Sequence, residues 1–230
     1  MSNRDQPVQL PRTIARLHPS AFLLAAQLLL LVLYAVFDGL HSERALISSF
    51  GVLVLVLVIW VVYRSPAVDW IAWVLAVPAL ILTLLLAFFA NTTLLVLSSL
   101  LEGALYFYAA GSLIAKMMED YEVTTDELFA AGATFTLLAW GFAYVYLICQ
   151  SWVPGSFARG VEPVQSLTFL ELLFLSFTNL TATGLSDIVP VTKWARVLIM
   201  LEQFVGIGYV AMVVSRLVSL TLQKQKKKRA

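Results

Sequence analysis

Ser176-Phe177-Thr178-Asn179-Leu180-Thr181-Ala182-Thr183-Gly184-Leu185-Ser186-Asp187-Ile188-Val189-Pro190 closes a short apolar run, Leu167 to Leu180, and leads into a long one, Trp194 to Leu222. A helix crosses a bilayer with about 20 mostly apolar residues, so the short run cannot span unaided and is expected to be re-entrant. A re-entrant helix entering from outside ends near the midplane, where the negative end of its macrodipole favours a cation. The chain must then return in extended form, with its carbonyls paired to protein, water or ions. Small and hydroxyl residues around Gly184 suit that return. Carbonyl rings from several copies can replace the hydration shell of an ion.

Working outward, further apolar runs are Ala21–Phe37, Ala45–Tyr63, Val68–Phe89 with Pro78 inside as an expected kink, Leu94–Met118 and Leu128–Trp152. With Trp194–Leu222 they give the expected fold class: an all-α membrane protein. It has six transmembrane helices, with a re-entrant pore helix and filter loop between helices five and six. The expected segments are 1–20 (N-terminal, cytoplasmic), 21–118 (four helices), 119–127 (linker), 128–222 (outer helix, short helix, loop, inner helix) and 223–230 (basic tail). The first run follows about 20 polar residues and lacks a small-x-small site, so it is not read as a cleaved signal peptide. No internal repeat of the secondary-transporter kind is visible.

The bulk composition agrees. Of 230 residues, 60% are hydrophobic and 13% charged, against roughly 25% charged in soluble domains. Mean hydropathy is +0.88. Disorder, a disulfide scaffold and a nucleic-acid binder are excluded, and the one cysteine, Cys149, is expected in the core. If both termini are cytoplasmic, eleven of the fifteen Lys and Arg residues lie inside, and only Arg44, Arg159, Lys193 and Arg196 lie outside. That supports an even number of spans in a multi-pass protein of the plasma (inner) membrane. The Lys224–Arg229 cluster is either a site for anionic lipid headgroups or a simple stop signal.

Thr181-Ala182-Thr183-Gly184-Leu185-Ser186-Asp187-Ile188-Val189-Pro190, placed between a short helix and a long one, resembles the pore module of the potassium channel superfamily. In that family the filter reads Thr-Val-Gly-Tyr-Gly-Asp, with another Thr before it and a Pro a few residues later. By this resemblance Thr181 matches the preceding Thr. Ala182, Thr183, Gly184, Leu185 and Ser186 occupy the filter, and Asp187 stands at the outer mouth. Gly206 falls where the family places a hinge glycine. The resemblance implies a homotetramer passing monovalent cations, with the ion held at Ala182, Thr183, Gly184 and Leu185. Potassium is the expected ion and sodium the alternative; no other cofactor is implied. It covers 128–222, while residues 21–118 resemble a voltage-sensor-like domain in number and placement of spans only.

Three filter positions depart from the pattern. Ala182 replaces a Thr whose hydroxyl lines the innermost ion site, and Leu185 replaces an aromatic. Ser186 replaces a Gly of glycine-like φ and is therefore expected to be strained. Cation conduction is expected, without strict potassium selectivity. A shifted alignment giving Thr183 the ligand role is disfavoured by its spacing to Gly184. A chance Thr/Gly-rich turn between apolar helices is the alternative to a filter.

Gating by arginines is not expected, because Leu94–Met118 carries no Lys or Arg before Lys116. Glu102, midway along that run, is either a neutral, hydrogen-bonded tie between helices or a proton or ion sensor. Ile207, Val210, Val214, Val218 and Leu222 share one face of the last helix and line either a greasy cavity and gate or a packing surface. Gly206 and Gly208 allow either bending or close packing. Glu202 and Gln203 lie near the depth of the filter, where they can buttress the short helix. Glu171, early in that helix, suits its positive end. The acidic connector, Glu119, Asp120, Glu122, Asp126 and Glu127, reads as a solvated linker.

Catalysis is not expected. An intramembrane hydrolase using Ser186 would need a base, and the histidines, His18 and His41, lie at the edges of the first run. A non-selective or non-conducting homologue with the altered filter is the other alternative.

Overall fold

In a computed structural model of the chain, residues 19–37, 69–89, 91–119, 125–160, 162–163 and 166–229 are described. The second apolar run (45–63), both histidines and most of the connector (120–124) lie outside them, as do the side chains beyond residue 219. The described part is mostly helical: α1 (Pro19–Phe37), α2 (Asp69–Phe88), α3 (Thr92–Glu119), α4 (Thr125–Trp152), α5 (Phe169–Leu180) and α6 (Lys193–Arg229). Among the described residues, three helices are long and apolar enough to cross a membrane: α3, α4 and α6. α1, α2 and α5 are shorter apolar helices. α2 runs through Pro78 as one element.

One element type was not expected. The all-α reading is corrected by a small antiparallel sheet, β1 (Phe157–Arg159), β2 (Glu162–Pro163) and β3 (Ile188–Pro190), in the order β2-β1-β3. Phe157 pairs with Pro190, Ala158 with Val189 and Arg159 with Ile188. Strands this short form because Gly155 and Gly160, at φ 77° and 59°, turn the chain back on itself.

α4 is the hub of the fold, packing on α1, α3, α5 and α6. Small residues make that possible, because without a hydrophobic drive in lipid, helices associate by close backbone approach. A Cβ on Gly141 would lie 3.1 Å from the Phe107 ring, and one on Gly103 would lie 3.3 Å from Cβ of Tyr144. Beside these notches sits a buried aromatic layer. Trp140 contacts Tyr34, Tyr106 and Phe169 at ring separations of 5.7–5.9 Å, and Tyr144 meets Phe169 at 4.7 Å. The layer joins α1, α3 and α4 to the first residue of α5, so one apolar core serves the peripheral helices and the 128–222 segment alike. Cys149 is buried in it.

At the opposite end of α4, the acidic connector is less solvated than its composition implies. Asp126 and Glu127 belong to the first turn of α4. Asp126 accepts from the backbone N–H (3.3 Å) and hydroxyl (3.1 Å) of Ser20, capping the start of α1. Glu127 is buried and pairs with Arg216 of α6 at 2.9 Å. Both readings of a free linker residue are therefore corrected: partners 106 and 89 positions away in sequence draw these acids into the fold.

Candidate functional site

α5 has 12 residues, about 18 Å at 1.5 Å per residue. Its start is fixed by a capping box: Thr168 Oγ1 accepts from the N–H of Glu171, and Glu171 Oε2 accepts from the N–H of Thr168 at 2.8 Å. The role expected of Glu171 at the positive helix end is thus met with a specific partner. Gln150 on α4 clamps the approach, bonding both the N–H and the carbonyl of Leu167 at 3.0 Å.

The other end of α5 is closed by a Schellman motif. The Ala182 N–H donates to the Asn179 carbonyl at 2.9 Å, and the Thr183 N–H donates to the Thr178 carbonyl at 3.0 Å. Such a cap needs a left-handed residue, and Ala182 supplies it at φ 55°. Gly184 is also left-handed, at φ 64°. Ser186, expected to carry glycine-like strain, does not appear among the positive-φ residues; that expectation is corrected, and the strain falls on Ala182 instead. The Ser186 hydroxyl instead accepts from the Ile188 N–H at 3.0 Å, a local turn that a serine favours.

Thr181, Ala182, Thr183, Gly184 and Leu185 all lie exposed, with Leu185 at 78%. The hydroxyls of Thr181 and Thr183 lie 3.0 Å apart and both reach the Thr178 carbonyl. The oxygens that 181–185 can offer a cation are therefore these two hydroxyls and the backbone carbonyls. No group of three or more His, Cys, Asp or Glu side chains suited to a metal occurs among the described residues. Asp187 ends the loop. Its carbonyl accepts from Gly160 N–H at 3.2 Å, and its carboxylate lies 3.5 Å from Arg159 Nε. Arg159 also pairs with Glu171, so one guanidinium ties the start of α5 to the end of the loop. Sequence reading missed Arg159 and Gln150, whose partners come from other elements; Thr168-x-x-Glu171 was the one local signal available.

On α6, the Glu202 side chain is fully buried and contacts the Ser176 hydroxyl of α5 and the Tyr146 hydroxyl of α4. This meets the buttress expected of it. One turn on, Gly206 passes so close to α5 that a Cβ there would lie 2.1 Å from the Leu180 carbonyl oxygen. Gly208 has open space. Ile207, Val210, Val214 and Val218 are all exposed, unused by the packing of their own chain; the Leu222 side chain lies outside the described residues. Glu102 on α3 is buried, contacts the Thr83 hydroxyl of α2 and hydrogen-bonds Tyr144 of α4. It therefore ties three helices together.

Two long apolar helices bracketing a short capped helix and an exposed Thr/Gly loop define a membrane protein with a channel-like module. Residues 132–223, about two-fifths of the chain, match the family described as Ion channel. The match begins about two turns into α4 and ends in α6, so it takes in most of both long helices, α5 and the whole loop. It supports a cation channel of the potassium channel type at a coarse level. Comparison with curated proteins and with solved structures gives no match.

Proposed function

We propose that four copies of this chain enclose a pore for monovalent cations, with residues 181–187 of each copy forming its filter and 128–222 its walls. The observation that carries this reading is α5 with its two caps. A helix too short to span, locked at both ends, presents an exposed hydroxyl- and glycine-containing loop beside a long apolar helix. One copy supplies one loop, and a closed ring of carbonyls needs several, which favours a cyclic assembly on a fourfold axis. α5 is then re-entrant in a six-span plasma-membrane subunit with both termini cytoplasmic and the basic tail at the lipid headgroups. Ile207, Val210, Val214, Val218 and Leu222 line the cavity and gate below the filter. Gly206, the hinge by resemblance, is pinned on Leu180, so α6 bends below that point. Charge movement in α3 does not drive the gate, because its apolar stretch lacks Lys and Arg before Lys116.

Potassium is the expected ion by resemblance. Non-selective passage is the second reading, favoured by Ala182, which removes a hydroxyl ring from the innermost site. The test is the full-length chain in liposomes under a potassium gradient, with bi-ionic reversal potentials for potassium and sodium. Collapse of the gradient is expected, with Gly184→Ala slowing it, since a Cβ is strained at φ 64°. An intact gradient with correctly inserted protein overturns the reading in favour of a non-conducting homologue. Crosslinking in the bilayer should stop at four chains; a dimer would exclude the ring.

A further inference from the structure

α5 meets α6 in two rungs, each one helical turn apart on both helices: Ser176 on Glu202, and Leu180 on Gly206. The upper rung sets a problem of proton count. The Ser176 hydroxyl lies 2.8 Å from the Ala139 carbonyl and also contacts one oxygen of the Glu202 carboxyl. A hydroxyl has one proton, and a carbonyl can only accept, so the Ser176 proton goes to Ala139. The contact with Glu202 then requires a proton from Glu202. Its other oxygen accepts from the Tyr146 hydroxyl, and the Asn179 side chain of α5 lies beside the same carboxyl. The Ser176 contact is a hydrogen bond when the carboxyl is neutral and becomes oxygen against oxygen when it is charged. The ion pairs among the described residues use Arg159 and Arg216, not Glu202.

We propose that Glu202 is a positioning residue for the filter: a charge-neutral clasp that donates to Ser176 of α5, accepts from Tyr146 of α4, and thereby fixes where α5 delivers its loop. Its positioning role rests on the pore reading; its neutral state does not. Glutamine keeps the same pattern, with Nε2 donating to Ser176 and Oε1 accepting from Tyr146. Leucine leaves two buried hydroxyls facing a side chain without polar atoms, and such groups are costly to strand.

The full-length protein is compared with Glu202→Gln and Glu202→Leu in liposomes and by infrared difference spectroscopy at neutral pH. Flux through Glu202→Gln is expected within about twofold of the parent, and flux through Glu202→Leu lower by about tenfold or more. The parent should show a protonated-carboxyl stretch that Glu202→Gln lacks. No difference in that band, or a Glu202→Gln flux as low as that of Glu202→Leu, overturns the neutral clasp. Parent-like flux in Glu202→Leu overturns the positioning role. If the parent itself carries no ions, the pore reading falls separately. The clasp is then decided by the band and by whether Glu202→Gln, but not Glu202→Leu, keeps the parent melting temperature.

Discussion

Replacing Gly206 by alanine tests the closest helix approach found at any described glycine. The added Cβ would lie 2.1 Å from the Leu180 carbonyl oxygen and 2.9 Å from the Leu180 carbonyl carbon and Cα. All three are backbone atoms, so no rotamer change relieves the overlap. Nor can Leu180 drift freely, because the Schellman cap just beyond it holds the end of α5. Overpacking costs typically about 1–3 kcal/mol, and a backbone clash this close belongs at the upper end. Alanine returns about 1 kcal/mol through its helix preference. The net loss is about 2 kcal/mol per chain, or a melting temperature lower by about 4–8 °C for a chain of this length. Gly208→Ala, one turn-half further with nothing within 4 Å of the new Cβ, is the control. Both variants are melted in detergent and assayed for cation flux in liposomes. Gly206→Ala should melt lower and lose flux, while Gly208→Ala stays near the parent. Parent-like melting and flux in Gly206→Ala would refute the close approach. Unchanged melting in both variants with impaired opening in both would show that bending, not contact, is what the glycines supply.

Other perturbations give separate readouts. Ala182→Gly removes a left-handed alanine, which costs about 1 kcal/mol, and should melt at or slightly above the parent; Ala182→Thr places a β-branched residue there and should melt lower. Ala182→Thr with Ser186→Gly restores the residues of the family filter and should raise potassium over sodium permeability, whatever its cost in stability; an unchanged ratio would show the filter alignment to be wrong. Breaking the buried pair by Arg216→Gln should destabilise by about 3 kcal/mol, and the double variant Arg216→Gln with Glu127→Gln should recover part of that in thermal melts. Arg159→Gln removes two partly exposed ion pairs, each worth under about 1 kcal/mol, so melting should move little. It leaves Asp187 unneutralised, however, and single-channel conductance should rise at low ionic strength and return to the parent value as salt screens the charge.

The positions of the helices were legible in the sequence because they depend on local properties. A run of apolar residues long enough for the bilayer must satisfy its backbone internally. Runs starting near Ala21, Val68, Leu94 and Leu128 accordingly appear as helices beginning at Pro19, Asp69, Thr92 and Thr125. The shortness of α5 and the exposed loop after it were legible for the same reason, as was the burial of Cys149. What the tertiary structure decided are the contacts between residues distant in sequence. Nothing near Glu127 announces Arg216, and nothing near Asp187 announces Arg159. The sheet pairs strands too short to show a pattern of their own. Strain went to Ala182 and not to Ser186 because a helix end needs a left-handed residue one step past its cap, and where α5 ends was not fixed by counting filter positions. Gly206 looked equally suited to bending and to packing until the carbonyl of Leu180 was found against it. Apolar length determines which segments enter the membrane; only the packed arrangement determines which polar groups meet there, because each such meeting requires two segments at one place.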